Sequence, residues 1–436
     1  MTTWKALYLH VVPLAPLQIG TESGIGAYET TARVIPGAML RGAVAQAALA
    51  HCTQPAHQYD HAACPARITC PFWQLFNPEI EPLWGFAYPA QSGMAWPLPL
   101  TARTCKREPG YPHRAGRGTH GHGVFDGLVG QFVYDLASDP FFPQRALLQP
   151  GLGQALAQLP ALLSTVCPVC GEPLKPAAGV YAWDPAQGPF YPGHMPVRRA
   201  AHVGINRARG VAEDGLLFAQ ESLEPQATSM DFHARVSVRE EDVNALLPYL
   251  EEREYYLGRG RSRGHGHVRL WTAAANVGDL GTRVAAFNQA VAGAFAHLQH
   301  AEPRLSSTLP GTLFSVTLNS PMILALRGER LGILTPEVLG IPGAVLLRSW
   351  ARPELVGGWD GAARLPRRTQ LAIQTGSVFV YWVPQAPADA QLLDSLTELE
   401  LVGRGAERAR GYGQLTVCAP FHTVNRIDLT QGVEEL

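Results

Sequence analysis

Two cysteines separated by two residues are the feature of the sequence with the most definite chemistry. Cys167 and Cys170 stand in the segment CPVCGEPL, with a proline between them and a glycine after the second. A tight turn of this kind aims both thiolates at one ion, and the pattern is typical of half of a structural zinc site. The alternative is a redox pair or two buried thiols. A CxxC motif at a helix start in a βαβ context would favour redox chemistry, but here proline and glycine surround the pair.

A tetrahedral site needs two further ligands, and the sequence offers two sets. Cys105 in TARTCKREPGYP could combine with His120 or His122 in RGTHGHGVFDGL. Cys64 and Cys70 form a rival pair, although their spacing is wider than that of most zinc knuckles. Four protein ligands leave no open position for a substrate, so we expect a structural rather than a catalytic ion.

Glycine and arginine alternate in two loops that occur in the same context. The segments YYLGRGRSRGHGH at 255–267 and VGRGAERARGYG at 402–413 each follow a stretch with helical periodicity and precede a strand-like stretch. Glycine allows positive φ angles and a close approach of the backbone to a ligand, and arginine suits phosphate oxygens. Because the order of helix, loop and strand occurs twice, we infer a duplicated module that grips a nucleic-acid backbone. The alternative is that both are plain glycine-rich connections.

Arginines and tyrosines near these loops complete the expected RNA-binding surface. Arginines hold phosphates, and aromatic rings beside them stack single-stranded bases, although each tyrosine could equally cap the domain core. An arginine in the first turn of the first helix lies beside backbone amides that favour anions. The expected set is Arg41, Arg207, Arg209, Tyr256, Gly258, Arg259, Gly260, Arg261, Arg263, Gly264, His265, Arg404, Arg408, Arg410 and Tyr412.

Composition limits the other possibilities. The net charge of −1 argues against a general polyanion binder, but the arginines cluster in a few segments, and a focused basic groove is enough to bind nucleic acid. No apolar run is long enough to span a bilayer. Seven cysteines without an export signal point to a reducing compartment, so we expect a cytoplasmic protein without membrane contact.

Three histidines and an aspartate raise the possibility of a nuclease. A histidine after the first helix (His51, His57 or His61) could act as general base on a ribose 2′-hydroxyl. Asp60 could instead serve in target cleavage. No residue pattern fixes a base, an acid and an oxyanion stabiliser together, so the alternative is a polar loop, and we expect no catalytic residues.

The periodicities predict an α+β fold with two units of order β-α-β-β-α-β, the ferredoxin-like arrangement. We predict a first domain at 1–278 with a zinc-binding insertion at about 52–195, a helical connector at 279–304 and a second domain at 305–436. Within them we expect helices at 38–51, 241–253 and 280–300, a hairpin within 201–223, and strands at 4–12, 229–238, 267–275 and after 312. IPGAVLLRSW at 341–350 also echoes IPGAMLRGAV at 35–44.

Several ordered motifs together resemble a known family. IPGAMLRGAV, HVGINRARGVAEDGLLFAQE, YLGRGRSRGHG, ERARGYG and LAIQTGSVFVYW are similar to segments of the RAMP superfamily of CRISPR-associated proteins. Within it, the chain resembles the subunit in the Cas five position of type III-D effector complexes. The resemblance implies two ferredoxin-like domains, binding of the 5′ handle of a guide CRISPR RNA, and assembly with other Cas subunits. In similar proteins an HGV(F)D segment supplies a metal-binding histidine, which favours Cys105, His122, Cys167 and Cys170 as the zinc ligands.

We therefore interpret the chain as a non-catalytic RNA-binding subunit with a structural zinc ion. The second loop is looser than the first, so it could bind a protein or another part of the RNA. The main alternative is a metal-independent endoribonuclease that processes precursor CRISPR RNA or cleaves target RNA. A zinc-dependent protein-interaction module without RNA affinity is the third possibility.

Overall fold

The computed structural model describes most of the chain. The described residues are 3–20, 28–57, 60–91, 93–112, 120–139, 142, 165–184, 188–225, 230–274, 278–301, 303, 309–326, 328–361, 365–384, 390–424 and 426–427. Among them, no helix is long and apolar enough to cross a membrane.

Strands outnumber helices, and the fold is mixed α+β. The helices are α1 (Gly37–Leu49), α2 (Pro71–Phe76), α3 (Leu128–Ser138), α4 (Val243–Leu246), α5 (Leu280–Ala301), α6 (Pro336–Leu339), α7 (Ala390–Val402) and α8 (Phe421–Val424). The strands up to residue 273 are β1 (Trp4–Pro13), β2 (Tyr28–Glu29), β3 (Leu83–Trp84), β4 (Tyr88–Ala90), β5 (Met94–Pro97), β6 (Ala102–Cys105), β7 (Val124–Asp126), β8 (Leu174–Pro176), β9 (Val180–Asp184), β10 (Gly188–Phe190), β11 (Val197–Asn206), β12 (Val211–Leu223), β13 (Asp231–Arg239), β14 (Arg253–Tyr256) and β15 (His267–Ala273). The later strands are β16 (Thr312–Leu318), β17 (Ala325–Leu326), β18 (Glu329–Arg330), β19 (Val345–Trp350), β20 (Pro353–Val356), β21 (Trp359–Asp360), β22 (Leu365–Pro366), β23 (Gln370–Ile373), β24 (Val378–Val383) and β25 (Leu415–Val417).

The first half is built on an antiparallel sheet with the order β14-β15-β1-β13-β3, and β4 also pairs with β13. Alternate residues of β1, such as Leu9 and Val11, point to one face and are fully buried. That face packs against α1, whose apolar residues include Leu40 and Val44. The period of two along each strand therefore fixes which face of this sheet forms the core.

The second half is built on an antiparallel sheet with the order β19-β24-β16-β25. Every residue of β24 is buried, which fits its uninterrupted apolar sequence VFVYWV. Two long helices complete this core: α5, which lies in the predicted connector, and α3, which lies in the predicted insertion. The insertion therefore contributes to the core of the other half of the molecule.

A buried polar relay ties this insertion to the end of the chain. His422 Nδ1 donates a hydrogen bond to Asp126 Oδ2 at 2.7 Å, and His422 Nε2 lies 2.7 Å from Thr317 Oγ1. Thr101 Oγ1 donates to the other oxygen of Asp126 at 2.6 Å. Hydroxyl, imidazole and carboxylate have the order of a catalytic triad, but Thr317 is only 3% exposed. No substrate could reach that hydroxyl, so the relay is structural.

Two sequence predictions about elements were wrong. Residues 241–253 do not form one helix: α4 is short, a 3₁₀ turn at Leu247–Tyr249 follows it, and β14 begins at Arg253. Pro248 lacks the N–H that a continuing helix would need. The echo between the two IPG segments is not structural, because the first leads into α1 and the second into strand β19. The predicted hairpin is present as β11 and β12.

Candidate nucleic-acid interface and metal centre

The first Gly/Arg loop joins β14 to β15 and has an unusual backbone. Gly258, Gly260, Gly264 and Gly266 all have positive φ angles, between 72° and 87°. A short 3₁₀ turn at Arg261–Arg263 lies between two of these glycines. Left-handed conformations are costly for residues with a Cβ atom, so the glycine spacing in the sequence directly dictates this loop.

The loop is seated on the segment that follows β1. Arg259 N donates to Gln18 O at 2.9 Å, and Gly266 N donates to Pro16 O at 2.8 Å. A Cβ atom at position 258 would lie 2.3 Å from Gln18 O, closer than such contacts allow. The loop is therefore held in one position by backbone contacts that only glycine permits.

The second Gly/Arg loop is seated in the same way on the segment that follows β16. Ala406 N donates to Ile323 O at 2.9 Å, and Gly413 N donates to Pro321 O at 2.8 Å. Its 3₁₀ turn at Arg408–Arg410 also lies between two residues with positive φ, Glu407 and Gly411. The repeated loop is thus a repeated structure as well as a repeated pattern.

The hairpins beside the two loops are anchored by equivalent backbone hydrogen bonds. Leu17 and Leu223 exchange backbone hydrogen bonds of 3.0 and 2.8 Å, which anchors β12 beside the first loop. Met322 and Ile373 exchange bonds of 2.9 and 2.8 Å, which anchors β23 beside the second loop. The duplicated unit therefore includes a strand, the segment after it, a hairpin and a Gly/Arg loop.

The surroundings of the two loops differ. A Cβ atom at Gly411 would lie 2.6 Å from Trp84 O, and the ring of Tyr412 lies 5.8 Å from that of Phe86. The second loop therefore packs against the first half of the molecule, beside β3 and α1. In the first loop, no atom of the described residues lies within 4 Å of a Cβ atom placed at Gly264, the equivalent of Gly411.

The arginines of the second loop are engaged within the chain. Arg410 lies 3.3 Å from a carboxylate oxygen of Glu407 and 3.9 Å from one of Asp360. Arg404 Nε donates to Leu339 O at 2.9 Å, and Arg408 Nη1 to Val402 O at 3.4 Å. All three arginines are partly buried. The structure therefore places these predicted RNA contacts at an internal boundary between the halves.

The arginines of the first loop face solvent. Arg259 lies 3.6 Å from Glu29 and its side chain is 53% exposed. Arg261 donates to the carbonyl of Gly258 and Arg263 to the amide oxygen of Gln220, at 3.3 and 3.4 Å. Across the described ranges, no carboxylate pairs with Arg261 or Arg263. Exposed guanidinium groups without counter-charges leave a local positive potential that anions can use.

The other predicted RNA contacts lie in different settings. Arg207 and Arg209 are exposed at the turn between β11 and β12. Arg41 lies in α1, pairs with Glu81 and covers the ring of Phe76 at 5.5 Å. His265 follows the 3₁₀ turn of the first loop and is partly buried.

The tyrosines beside the loops have separate roles. Tyr255 donates to Tyr249 O at 2.7 Å and belongs to the core, where burial raises the pKa of its hydroxyl to about 12. Tyr256 points to the opposite face of the sheet and is 51% exposed. Tyr412 is buried. Of these rings, only that of Tyr256 is open to a ligand.

A small sheet in the insertion positions the candidate metal ligands. Strand β6 pairs with both β7 and β8. Cys105 ends β6, His122 lies two residues before β7, and the turn with Cys167 and Cys170 leads into β8. In that turn Gly171 has φ +70° and its N–H donates to Cys167 O at 2.9 Å. The geometry is that of a knuckle.

The four ligand atoms lie within 4.8 Å of one another. Cys105 Sγ is 3.6 Å from Cys170 Sγ, and Cys167 Sγ is 3.6 Å from His122 Nδ1. Zinc–sulfur and zinc–nitrogen bond lengths in a tetrahedron place such pairs about 3.8 and about 3.6 Å apart. Burial raises the pKa of Cys105, but hydrogen bonds led by the backbone N–H of Glu108 bring it down to about 7. These residues could hold a metal ion.

The alternatives from the sequence are arranged differently. His120 and the pair Cys64 and Cys70 are not part of this cluster, which is the one metal-ligand group found among the described residues. His51 is exposed and His57 is partly buried, whereas His61 is buried with its ring 4.3 Å from that of Phe72. Asp60 caps a 3₁₀ turn by accepting from Ala63 N. Among the described residues of this segment, the structure does not bring a base and a charge stabiliser together.

The segments that seat the loops were missed in the sequence. Each contains a proline shortly after the first strand of its half: Pro16 begins PLQI and Pro321 begins PMIL. Their carbonyl groups accept the hydrogen bonds that hold Gly266 and Gly413. The repeated proline was the available signal.

The fold and the site define an α+β protein that carries the same loop module twice, one copy exposed and one internal. The family model described as CRISPR-associated protein (Cas_Cmr3) matches residues 194–419, just over half of the chain. The chain belongs to this family of CRISPR-associated proteins. The matched range contains both Gly/Arg loops, and the predicted CRISPR association is confirmed.

Solved structures similar to this chain have low identity. A chain of Type III-B Cmr-beta bound to cognate target RNA is 10% identical, with 86% of each chain covered and a TM-score of 0.37. A chain of Type III-B Cmr-beta in the apo state is 14% identical over 62% of this chain and 97% of that chain, with a TM-score of 0.29. A Cas6 product complex is 16% identical over 43% of this chain and 76% of that chain, with a TM-score of 0.26. No curated protein sequence matches significantly.

Proposed function

We propose that this protein is a non-catalytic RNA-binding subunit of a type III CRISPR effector complex, which holds the guide CRISPR RNA and docks onto other Cas subunits. Membership of a CRISPR-associated family supports the biological setting. The observation that carries the RNA role is the contrast between two equivalent loops. One is docked inside the molecule, whereas the other presents Arg259, Arg261 and Arg263 to solvent on a fixed backbone.

The exposed loop fits a phosphate backbone better than a protein partner. Its three arginines stand two residues apart on one tight turn, so three exposed guanidinium groups are concentrated within a short segment of the surface. Arg207 and Arg209 add positive charge at the tip of the hairpin whose strand β12 contacts the loop through Gln220. Counter-ion release from a single strand would then supply salt-sensitive affinity.

We also propose that each half is a ferredoxin-like RAMP domain. When the elements of the two main sheets are taken with one helix between them, the first half gives β1, α1, β3, β13, α4, β15 and the second gives β16, α6, β19, β24, α7, β25, with further elements inserted between these. Both orders read strand, helix, strand, strand, helix, strand. The predicted position equivalent to Cas five, and contact with the 5′ handle of the guide, belong to this proposal.

The metal in this proposal is zinc with a structural role. Three thiolates and one imidazole suit zinc better than harder cations. The ion would join the end of β6 to the turn before β8, and so brace the insertion. Its binding energy would then be folding energy for this part of the chain.

The test of RNA binding is its salt dependence. The triple variant Arg259→Ala, Arg261→Ala, Arg263→Ala should bind single-stranded repeat RNA more weakly. The slope of log affinity against log salt should fall by about 2, since each phosphate contact on single strands contributes about 0.7. The matched control replaces three exposed arginines elsewhere, Arg67, Arg330 and Arg368. An unchanged slope in the loop variant, or an equal change in the control, would refute the assignment.

The non-catalytic part has its own test. The wild-type protein should bind its repeat RNA for hours without producing a fragment that ends in a 2′,3′-cyclic phosphate, with or without divalent metal. General base catalysis needs a positioned base near the 2′-hydroxyl, whereas His51 is exposed in a turn after α1 and His57 is partly buried at the end of the short 3₁₀ turn Pro55–His57. If such a fragment appears, and His51→Ala or His57→Ala abolishes it, the protein is instead an endoribonuclease.

A further inference from the structure

The first sheet carries aromatic and basic side chains on the face opposite its core. On β15, Val268 and Leu270 are fully buried against α1, so the residues between them point the other way. These outward residues are His267, Arg269 and Trp271. None of them is needed for the core, and all three are at least partly exposed.

Two ring stacks form across the strands of this face. Tyr256 on β14 stacks on its partner His267, with centroids 5.0 Å apart and planes at 15°. Trp271 stacks on its partner His10 on β1, at 5.6 Å and 16°. The two stacks are four residues apart on β15, or about 13 Å at the rise of a strand. Arg269 lies halfway between them.

The remaining part of this face is covered by the second half. Tyr8, His233 and Arg235 line a cavity of about 40 Å³ together with residues of the second sheet, including Gln414 and Thr416. The positions equivalent to His267, Arg269 and Trp271 lie just before, on and just after β25. They are Gln414, Thr416 and Cys418, which are 7%, 8% and 1% exposed. The same face is thus closed in one copy of the module and partly open in the other.

We infer that the open part of this face is a stacking platform for unpaired RNA bases, a role that rests on the proposed RNA-binding function. The Gly/Arg loop connects Tyr256 directly to His267, so a strand whose phosphates lie on the loop arrives with its bases at the first stack. Bases stack readily on aromatic rings and on guanidinium planes. The platform would take two bases, one at Tyr256 and one at Trp271.

The charges on this face position the rings and leave room for an anion. Glu254 accepts from Arg269 at 2.8 Å and lies 2.9 Å from His267 Nε2, which orients both side chains. Asp231 lies 3.7 Å from His10 Nδ1. The positive charge that would face phosphates comes from the adjoining loop, where Arg261 and Arg263 have no carboxylate partner among the residues that the structure describes. This continuity favours RNA over a protein as the occupant.

The experiment compares ring removal with ring retention. Tyr256→Ala and Trp271→Ala should each weaken binding of single-stranded repeat RNA about tenfold, within the range that alanine substitution of stacking residues gives. The salt slope should stay as in the wild type, because no phosphate contact is lost. Tyr256→Phe and Trp271→Phe should recover most of the affinity. Trp359→Ala is the control. It removes a tryptophan on β21 that is 60% exposed, and it should leave the affinity for RNA unchanged.

The outcomes separate this inference from the proposed function. If the loop triple variant loses salt-dependent binding while both alanine variants bind as tightly as the wild type, the platform is refuted and the RNA function stands. If the wild type does not bind RNA, both fail. If the alanine variants bind RNA normally but no longer assemble with the Cas subunits of their operon, the face is a protein interface and the platform is refuted. A loss of affinity with an unchanged slope supports it.

Discussion

A matched pair of glycine substitutions in the first loop tests how the loop is held. Gly258 and Gly264 have nearly the same backbone conformation, with φ of +77° and +83°. Alanine at either position must adopt a left-handed conformation, which lowers the free energy of unfolding by about 1–2 kcal/mol. The two differ in their surroundings: a Cβ atom at 258 would lie 2.3 Å from Gln18 O, whereas a Cβ atom at 264 would have no described residue within 4 Å.

The difference in surroundings predicts a difference in stability. Alanine at 258 must push the loop away from Gln18, which breaks the bond of 2.9 Å from Arg259 N to Gln18 O. That loss adds about 1 kcal/mol, so Gly258→Ala should destabilise the protein by roughly 2–3 kcal/mol and Gly264→Ala by about 1–2 kcal/mol. Because Gly258→Ala also displaces the arginines, it should weaken RNA binding more than Gly264→Ala does.

The assays are chemical denaturation of both variants and their affinity for single-stranded repeat RNA. Gly405→Ala offers a further control, since its Cβ atom would lie 2.6 Å from Ile323 O in the second loop. It should destabilise the protein as Gly258→Ala does, without displacing the exposed arginines. Equal stability of Gly258→Ala and Gly264→Ala, or stronger RNA loss in Gly405→Ala than in Gly258→Ala, would show that the seating on Gln18 does not position the loop.

Two further predictions concern the metal centre and pH. Cys167→Ser should abolish binding of one zinc ion per chain, measured by elemental analysis, and should lower the thermal stability of the protein. The control variant Cys64→Ser should retain the ion. A wild-type protein that contains no zinc after purification without chelator would contradict this prediction. Burial, assisted by His10, lowers the pKa of His233 to about 4, below its ordinary value of 6.5. The unfolded chain therefore binds more protons between these values, and stability should be complete above pH 6.5 and fall by up to about 3 kcal/mol as the pH drops to 4. His233→Gln should flatten that part of the denaturation profile, and an equally steep profile in the variant would assign the loss to other groups.

Local patterns predicted much of the fold and of the candidate site. The glycine spacing of the first loop dictates its backbone, because few other residues accept positive φ. The alternation in β11, β12 and β13 predicted strands that the structure contains. Cys167 and Cys170 predicted a metal-binding turn, and the structure brings Cys105 and His122 to it.

The features that were missed depend on contacts between distant parts of the chain. The sequence of the second loop does not show that Arg410 pairs with Glu407 and Asp360, or that Gly411 packs against the backbone of Trp84. The helix predicted at 241–253 is interrupted at Pro248, which lacks the N–H that a continuing helix needs, and its last residue, Arg253, instead begins β14 and pairs with β15. Tyr256 was predicted as an RNA contact, but His267, Arg269 and Trp271 were interpreted only as part of a strand, since alternation does not reveal which outer faces stay uncovered.

The path of the chain between the two cores limits how the molecule can move. The chain leaves the first half after β4, places Leu128, Phe132 and Leu136 of α3 in the core of the second half, and then returns to form β11 to β15. Asp126 accepts a hydrogen bond from His422 in the same region. Domains joined only by a linker normally move relative to each other at a hinge. In this protein such a motion would require α3 to leave the core of the second half. The packing of α3 therefore opposes hinge bending between the two halves, and a fragment cut at the connector would expose the apolar surface that α3 covers.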